Sequence, residues 1–107
     1  MESNLDKVLQ GIEHTETSYI TAPKATYVVV NTSNDTSGSD YGVYIDHLSH
    51  ELEMYSRDKI DHKTEALIES RLVDLGIQYS KQERTFLPTE RMFMTVFSFE
   101  EYLKKEA

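Results

Sequence analysis

Residues Asp61 to Phe99 read DHKTEALIESRLVDLGIQYSKQERTFLPTERMFMTVFSF, and this stretch decides the fold. Asp61 is a good helix N-cap, and Gly76 is typical of a helix stop. The stretch therefore predicts one main helix from His62 to Leu75, followed by strands. The predicted apolar face of this helix consists of Ala66, Leu67, Ile68, Leu72, Val73 and Leu75. The side chains predicted to lie towards water are Glu65, Glu69 and Arg71.

The segments after this helix predict two strands joined by a turn. Residues 77–85 carry apolar side chains on one face only, and Leu87-Pro88-Thr89-Glu90 predicts the turn. The last strand is apolar on both faces, with Met92, Met94 and Val96 on one side and Phe93, Phe97 and Phe99 on the other. Such a strand is typical of the centre of a sheet or of a subunit contact.

The N-terminal half predicts a short helix and one interior strand. Within the helical segment 1–18, Ser3 and Asp6 have capping-box spacing. The apolar residues Leu5, Val8, Leu9 and Ile12 follow at helical spacing. Residues 25–30 (ATYVVV) are rich in β-branched side chains and predict a strand inside the sheet. Residues 31–42 (NTSNDTSGSDYG) predict an exposed flexible loop, and residues 100–107 a frayed charged tail.

Residues 43–56 fit two structures. Helical spacing connects Ile45, Leu48, Leu52 and Tyr55, whereas a strand would place His50 on one face with Leu48, Leu52 and Met54. On a helix, His47 and His50 would share a face and, with Glu51 or Asp46, could bind a divalent metal ion. On a strand the two histidines would point to opposite faces and no such site would exist.

Composition limits the function classes. The chain has 107 residues, a net charge of −8 and no cysteine, which predicts one domain over residues 1–107 without disulfides or thiolate chemistry. The acidic excess argues against sequence-specific nucleic-acid binding, and no apolar run is long enough for a membrane span. Since no phosphate-binding loop or nucleophile elbow is present, we expect no catalytic residue, no metal and no cofactor.

The order of elements resembles small tail-completion proteins of siphophages and prophages, in particular the tail-terminator or head-to-tail joining family. The resemblance spans about residues 19–100. It is carried by Tyr27 to Val30, Leu52 to Tyr55, Asp61, Leu72 to Gly76, Ile77, Tyr79, and Met92 to Phe99. It favours a strand at 43–56. The implied fold is α+β, with a mostly antiparallel or mixed sheet of about four strands against one main helix and the short N-terminal helix.

The resemblance also implies a function. Such a protein caps the tail tube, ends its growth and joins tail to head, without catalysis or cofactor. Its partners would be further copies in a ring, expected to be a hexamer, the tail tube protein and a head-completion or connector protein. It would act in the bacterial host cytoplasm during assembly and remain in the virion. The alternatives are a head-completion or connector component, or a small acidic adaptor or anti-host binding protein.

The candidate interface residues follow from this expectation, because contacts should come from loops and exposed aromatic side chains. They are Thr32, Asn34, Asp35, Ser37, Asp40, Tyr41, Tyr55 and Pro88.

Overall fold

The computed structural model describes residues 3–16, 25–38 and 43–106. These residues form two helices and a six-stranded mixed sheet with strand order β1-β2-β3-β6-β4, in which β5 also pairs with β6. The helices are α1 (Asn4–Leu9) and α2 (His62–Asp74). The strands are β1 (His14–Thr15), β2 (Tyr27–Gly38), β3 (Val43–Arg57), β4 (Tyr79–Lys81), β5 (Thr85–Leu87) and β6 (Met92–Glu106).

The predicted α+β class and mixed sheet are confirmed, whereas the predicted strand number is too low. The sequence predicts about four strands, and two features of the structure raise that number. The segment at 77–85 divides into β4 and β5, and a two-residue β1 pairs in parallel with β2 at Val28 and Val29. The β-branched segment at Val28 and Val29 therefore lies inside the sheet, as predicted.

The core lies on one side of the sheet, which we call the helix face. Register aligns Val30, Leu52 and Phe97 across β2, β3 and β6, and all three are at most 1% exposed. The core cluster on this face comprises Leu5, Val8, Leu9, Val28, Val30, Leu52, Met54, Ile68, Leu72, Phe97 and Phe99. Side chains that alternate to the other side, among them Val29, Glu53 and Val96, form the open face.

The helix boundaries follow the capping signals of the sequence. Ser3 Oγ accepts a hydrogen bond from Asp6 N at 3.2 Å, and Asp6 Oδ2 accepts one from Ser3 N at 3.3 Å, completing the capping box of α1. At the end of α2, Gly76 takes φ +71° and Ile77 N donates to Leu72 O at 2.9 Å. Glycine adopts this left-handed conformation without the strain that a side chain would bring.

The predicted inward face of α2 is partly wrong. The buried residues are Glu65, Ile68 and Leu72, whereas Leu67 and Val73 are 38% and 64% exposed. Spacings of three and four residues place the buried set on one narrow stripe. Glu65 can belong to this stripe because cations neutralise its charge at the sheet.

Arg71 was also predicted to lie towards water, and it instead connects the two helices. Its guanidinium donates to the main-chain oxygens of Val8 at 2.9 Å and Gln10 at 2.5 Å. These are carbonyl groups at the end of α1 that have no partner within a six-residue helix. A cation also interacts favourably with the negative end of the helix dipole.

Asp61 should account for a measurable part of the stability of α2. Its carboxylate accepts hydrogen bonds from Thr64 N at 2.9 Å, Thr64 Oγ1 at 2.8 Å and Thr26 Oγ1 at 2.5 Å. We expect Asp61→Ala to lower the free energy of unfolding by about 1–2 kcal/mol, measured by urea denaturation. Asp61→Asn keeps an acceptor oxygen and should lower the free energy of unfolding less. Equal decreases in the two variants would contradict the capping role.

The predicted loop and tail are strands in the structure. β2 pairs with β3 as far as Gly38 opposite Tyr44, and β6 pairs with β3 as far as Glu106 opposite Val43. The loop prediction is therefore wrong for residues 31–38 and the tail prediction is wrong for residues 100–106, while residues 39–42 lie outside the described residues. The prediction of a strand at 43–56 is confirmed.

The three long strands form an extension that we call the arm, made of residues 31–38, 43–51 and 98–106. The described residues span 53 × 30 × 23 Å, and the core cluster reaches the arm only at Phe99. Asn, Asp and Gly are poor strand formers, and residues 31–38 show no apolar alternation because little core lies beneath them. Backbone pairing with a neighbouring strand nevertheless holds them extended, because the hydrogen bonds come from the main chain.

Candidate functional site

A polar chain of three side chains, two of which are buried, lies at the base of the arm. His50 on β3 faces Thr32 on β2, with 2.8 Å between His50 Nδ1 and Thr32 Oγ1. On the other side, His50 Nε2 lies 2.6 Å from Glu101 Oε2 of β6. His50 is 2% exposed and Glu101 is 4% exposed, so their interaction is shielded from water.

The chain of hydrogen bonds continues into α1. Glu101 Oε1 accepts from the backbone N–H of Asn4 at 3.1 Å. Asn4 is the first residue of α1, so this N–H is one of those without a partner inside the helix, and a carboxylate there is favoured by the helix dipole. Glu101 therefore holds the start of α1 on the arm.

The order of these hydrogen-bonded groups, hydroxyl then imidazole then carboxylate, is also that of a nucleophilic triad. In such a triad the imidazole accepts the hydroxyl proton. In this protein both imidazole nitrogens and both carboxylate oxygens have partners within the chain. A buried polar network with every member satisfied fixes the packing of the elements that it joins. The arrangement supports a structural role, in which it fixes the position of α1 and the alignment of β2, β3 and β6.

An open cleft of about 950 Å³ runs beside this network. Ser3, Asn4 and Lys7 of α1 line one wall, and residues 75–80 line another. The floor follows β6 from Ser98 to Leu103, so the cleft lies along the strand beyond the point at which β4 ends. Ser49, His50 and Glu51 of β3 also line it, so the cleft reaches over the sheet as well as along the outer edge of β6.

A second buried cluster surrounds Glu65 on the helix face. Its carboxylate lies 2.5 Å from Lys81 Nζ and accepts hydrogen bonds from Arg84 Nη2 at 2.8 and 3.0 Å. Thr95 Oγ1, on β6, donates to the same carboxylate at 3.3 Å. Burial acts to raise the pKa of Glu65, but the hydrogen bonds and charges of Lys81 and Arg84 outweigh it and lower that pKa. Glu65 is therefore held ionised as a link between α2 and the sheet.

Aromatic pairs mark the open face. Tyr27 stacks on Tyr55 with ring centroids 5.3 Å apart, and His47 stacks on Tyr102 at 4.6 Å. Burial, followed by the neighbouring Glu53 carboxylate, raises the pKa of Tyr55 to about 12. Tyr55 therefore keeps its proton at physiological pH, and its Oη donates to Glu53 Oε1 at 3.3 Å.

The predicted interface residues do not form one site. Thr32, Asn34, Asp35 and Ser37 share the outer part of β2, and the first three are exposed. Tyr55 is half-buried in its stack, and Pro88 is exposed in the turn after β5. Tyr55 lies eight positions along β3 from His47, the partner of Asp35, a distance of roughly 26 Å. Asp40 and Tyr41 lie outside the described residues.

The two histidines point to opposite faces of β3, as a strand requires. His50 belongs to the buried network, and His47 lies on the open face with its Nε2 3.0 Å from Glu100 Oε1, at an angle that forms no hydrogen bond. Over residues 3–16, 25–38 and 43–106 no three histidine, aspartate or glutamate side chains are grouped to hold a metal ion. In the same ranges no helix has the length and apolar character needed to cross a bilayer.

Sequence reasoning missed the partner of His50. The sequence placed His50 on the apolar face of a strand, which is a signal for a buried histidine that needs partners. Glu101 was assigned to the tail, and its role depends on a register between strands that are about fifty residues apart in sequence. Comparison with protein-family models finds no match to this chain, and comparison with curated proteins finds no significant relative.

Proposed function

We propose that this chain is a structural assembly protein of a phage or prophage tail, which caps the tail tube, ends its growth and joins the tail to the head. The observation that best supports an assembly role is the arm, a three-stranded extension in which, among the described residues, the outer strands have strand neighbours on one side only over most of the arm. Such edges are templates for pairing with another chain. The assignment to a tail rests on the resemblance of the sequence.

The edge of β2 offers backbone groups to a partner. Val28 N donates to Glu13 O at 2.9 Å, so the backbone of Val28 points away from β3. Because strand residues alternate, Val30, Thr32 and Thr36 turn their N–H and C=O groups to the same outer side. Among the described strands, β1 pairs with β2 only at Val28 and Val29, and none of the others pairs with this outer side.

The charge of the chain agrees with this role. A ring around the path of DNA works best if its lumen does not bind phosphate groups, and six copies of a chain with net charge −8 would repel them. The acidic residues Asp35, Glu51 and Glu100 lie on the open face of the arm. An acidic arm in a ring would let DNA pass without retention.

The first test is deletion of the gene from its phage or prophage, followed by electron microscopy of the induced lysate. We expect filled heads beside overlong, unattached tubes, because nothing would stop tube growth. Leaking or unfilled heads beside tubes of normal length would instead indicate a head-completion or connector component. Normal virions would refute the assembly role and favour a small acidic adaptor that binds a host protein.

A variant of the β2 edge tests the arm directly in the same deletion strain. Thr36→Pro removes an N–H that points away from β3, so the ladder to β3 is kept and the chain should fold. We expect a complementing plasmid with Thr36→Pro to yield at most a few per cent of the wild-type plaque titre. Thr36→Val keeps the N–H and serves as the control. Equal titres from both variants would exclude this edge as an assembly contact.

A further inference from the structure

We propose that two copies of this chain pair through the outer edge of β6 as an isologous antiparallel dimer. The occupant of the cleft beside β6 would be the β6 strand of the second copy. This contact is independent of the proposed tail function, because it needs only the edge and the sequence of β6, and it does not use the β2 edge.

The backbone of β6 beyond β4 is directed outwards. Gln82 N donates to Val96 O at 2.9 Å, which shows that the even-numbered residues of β6 turn their backbone groups towards β4. β4 ends opposite Phe99, and among the described residues no strand covers this side of β6 after that point. Glu100, Tyr102 and Lys104 therefore each offer one N–H and one C=O to a further strand.

The sequence of this edge is complementary to itself in one register. In an antiparallel pair about a twofold axis at Tyr102, Glu100 of each copy lies opposite Lys104 of the other, and Tyr102 lies opposite Tyr102. The outward-pointing residues are thus matched with each other, as hydrogen bonding requires. A shift of two residues towards the C-terminus would bring Glu100 opposite Glu106, and like charges directly opposite are unfavourable.

Tyr102 has the properties expected at the axis of such a dimer. Its side chain is 66% exposed, although its ring lies nearly parallel to that of His47, at an interplanar angle of 5°. Glu100 has 59% of its side chain exposed on the same open face. Tyrosine is enriched at subunit contacts because it buries a large area with few rotatable bonds. In the dimer, each Tyr102 would be covered by the ring of the other copy.

Cysteine cross-linking tests this register, because the chain has no cysteine of its own. Directly opposite residues in a hydrogen-bonded antiparallel pair have Cα atoms about 5.5 Å apart, which is within the range that a disulfide bridges. We expect Tyr102→Cys to form a covalent dimer under mild oxidation, seen on a non-reducing gel. Ser98→Cys is the matched control, since it lies on the same strand and face but opposite Ser80 of β4. It should remain monomeric on the gel.

Charge reversal provides a second measurement that keeps Tyr102. Glu100→Lys would place two pairs of like charges in the contact and should weaken dimerisation roughly tenfold, measured by analytical ultracentrifugation over a concentration series. The double variant Glu100→Lys/Lys104→Glu should restore the dissociation constant. The proposal is overturned if Ser98→Cys cross-links as readily as Tyr102→Cys, or if the charge variants sediment as the wild type does. A wild-type chain that sediments as a monomer at every concentration would refute this contact alone and not the tail function.

Discussion

Replacing His50 with alanine should lower the free energy of unfolding by about 3–5 kcal/mol, measured by urea denaturation at neutral pH. His50 Nε2 is 2.6 Å from Glu101 Oε2, and the two side chains are 2% and 3% exposed. Removal of the imidazole would leave the Glu101 carboxylate in a water-poor site, where it keeps the hydrogen bond from the Asn4 N–H. A buried charge that has lost its partner is much more costly than the pair is favourable.

His47 provides the matched control for this prediction. It lies three residues away on the same strand, but on the open face, with 30% of its side chain exposed beside a Glu100 that is 59% exposed. So exposed a contact contributes about 0–1 kcal/mol, and His47→Ala should therefore lower the free energy of unfolding little beyond the loss of its stacking on Tyr102. Similar losses in the two variants would contradict the assignment of the stabilising contact to the buried side.

A double replacement separates two reasons why His50→Ala should be unstable: the unpaired Glu101 carboxylate in a buried site, and the packing lost with the imidazole. His50→Leu/Glu101→Leu removes both polar groups and restores apolar volume, so it should be clearly more stable than His50→Ala. It should also release the start of α1, since Asn4 N loses its acceptor. Hydrogen exchange would show this as faster exchange at residues 4–9. If α1 exchanged as slowly as in the wild type, Glu101 would not be what holds it on the arm.

The parts of the fold that the sequence predicts are those with local signals. The signals that begin and end the helices act within a few residues, and the boundaries that they predict agree with the structure. They are the capping box of Ser3 and Asp6, the N-cap Asp61 and the helix stop Gly76. The β-branched segment in β2 and the double apolar face of β6 are likewise visible in the residues themselves. Local chemistry thus predicts most of the elements around the core.

The arm could not be predicted in the same way. The sequence NTSNDTSG has loop composition, and it is extended because it pairs with β3, whose own pattern fits a helix as well as a strand. The buried position of Glu65 depends on Lys81 and Arg84, which come from later segments of the chain. The partner of His50 likewise depends on the register of β6. These features are set by contacts between distant residues, which one sequence does not reveal.

Among replacements at the contact between α2 and the sheet, we expect Glu65→Gln to lower the free energy of unfolding most. Glutamine keeps the shape of the side chain and removes its charge. Glu65 is 4% exposed and holds Lys81 and Arg84 at 2.5 and 2.8 Å. Hydrogen bonds to a charged group contribute about 1.5–3 kcal/mol, and both cations keep roughly 30% of their side chains exposed, which weakens the pairs. We expect Glu65→Gln to lower the free energy of unfolding by about 2 kcal/mol at pH 7, measured by urea denaturation.

Glu69 is the control for this replacement, since it lies one turn further along α2. It accepts from Tyr79 Oη at 3.0 Å and lies 3.2 Å from Lys81 Nζ, but it is 31% exposed. Glu69→Gln should therefore cost below about 1 kcal/mol. A loss as large as that of Glu65→Gln would show that the charge of α2, rather than the buried position of Glu65, stabilises the contact.

Wild type and Glu65→Gln should differ in their free energy of unfolding by an amount that depends on pH. The direction of the pKa shift of Glu65 determines this dependence. The folded-state pKa of Glu65 lies below its ordinary value of 4.5, because its hydrogen bonds and nearby cations outweigh the effect of burial. The unfolded chain therefore takes up the proton first as the pH falls, and the stability that Glu65 contributes is present above pH 4.5 and is lost as the pH passes through the folded-state pKa. Denaturation curves at pH 7, 5, 4 and 3 should show the two proteins converging in the acid range. Since glutamine does not titrate, a difference that stays constant down to pH 3 would mean that packing, and not the ionised carboxylate, joins α2 to the sheet.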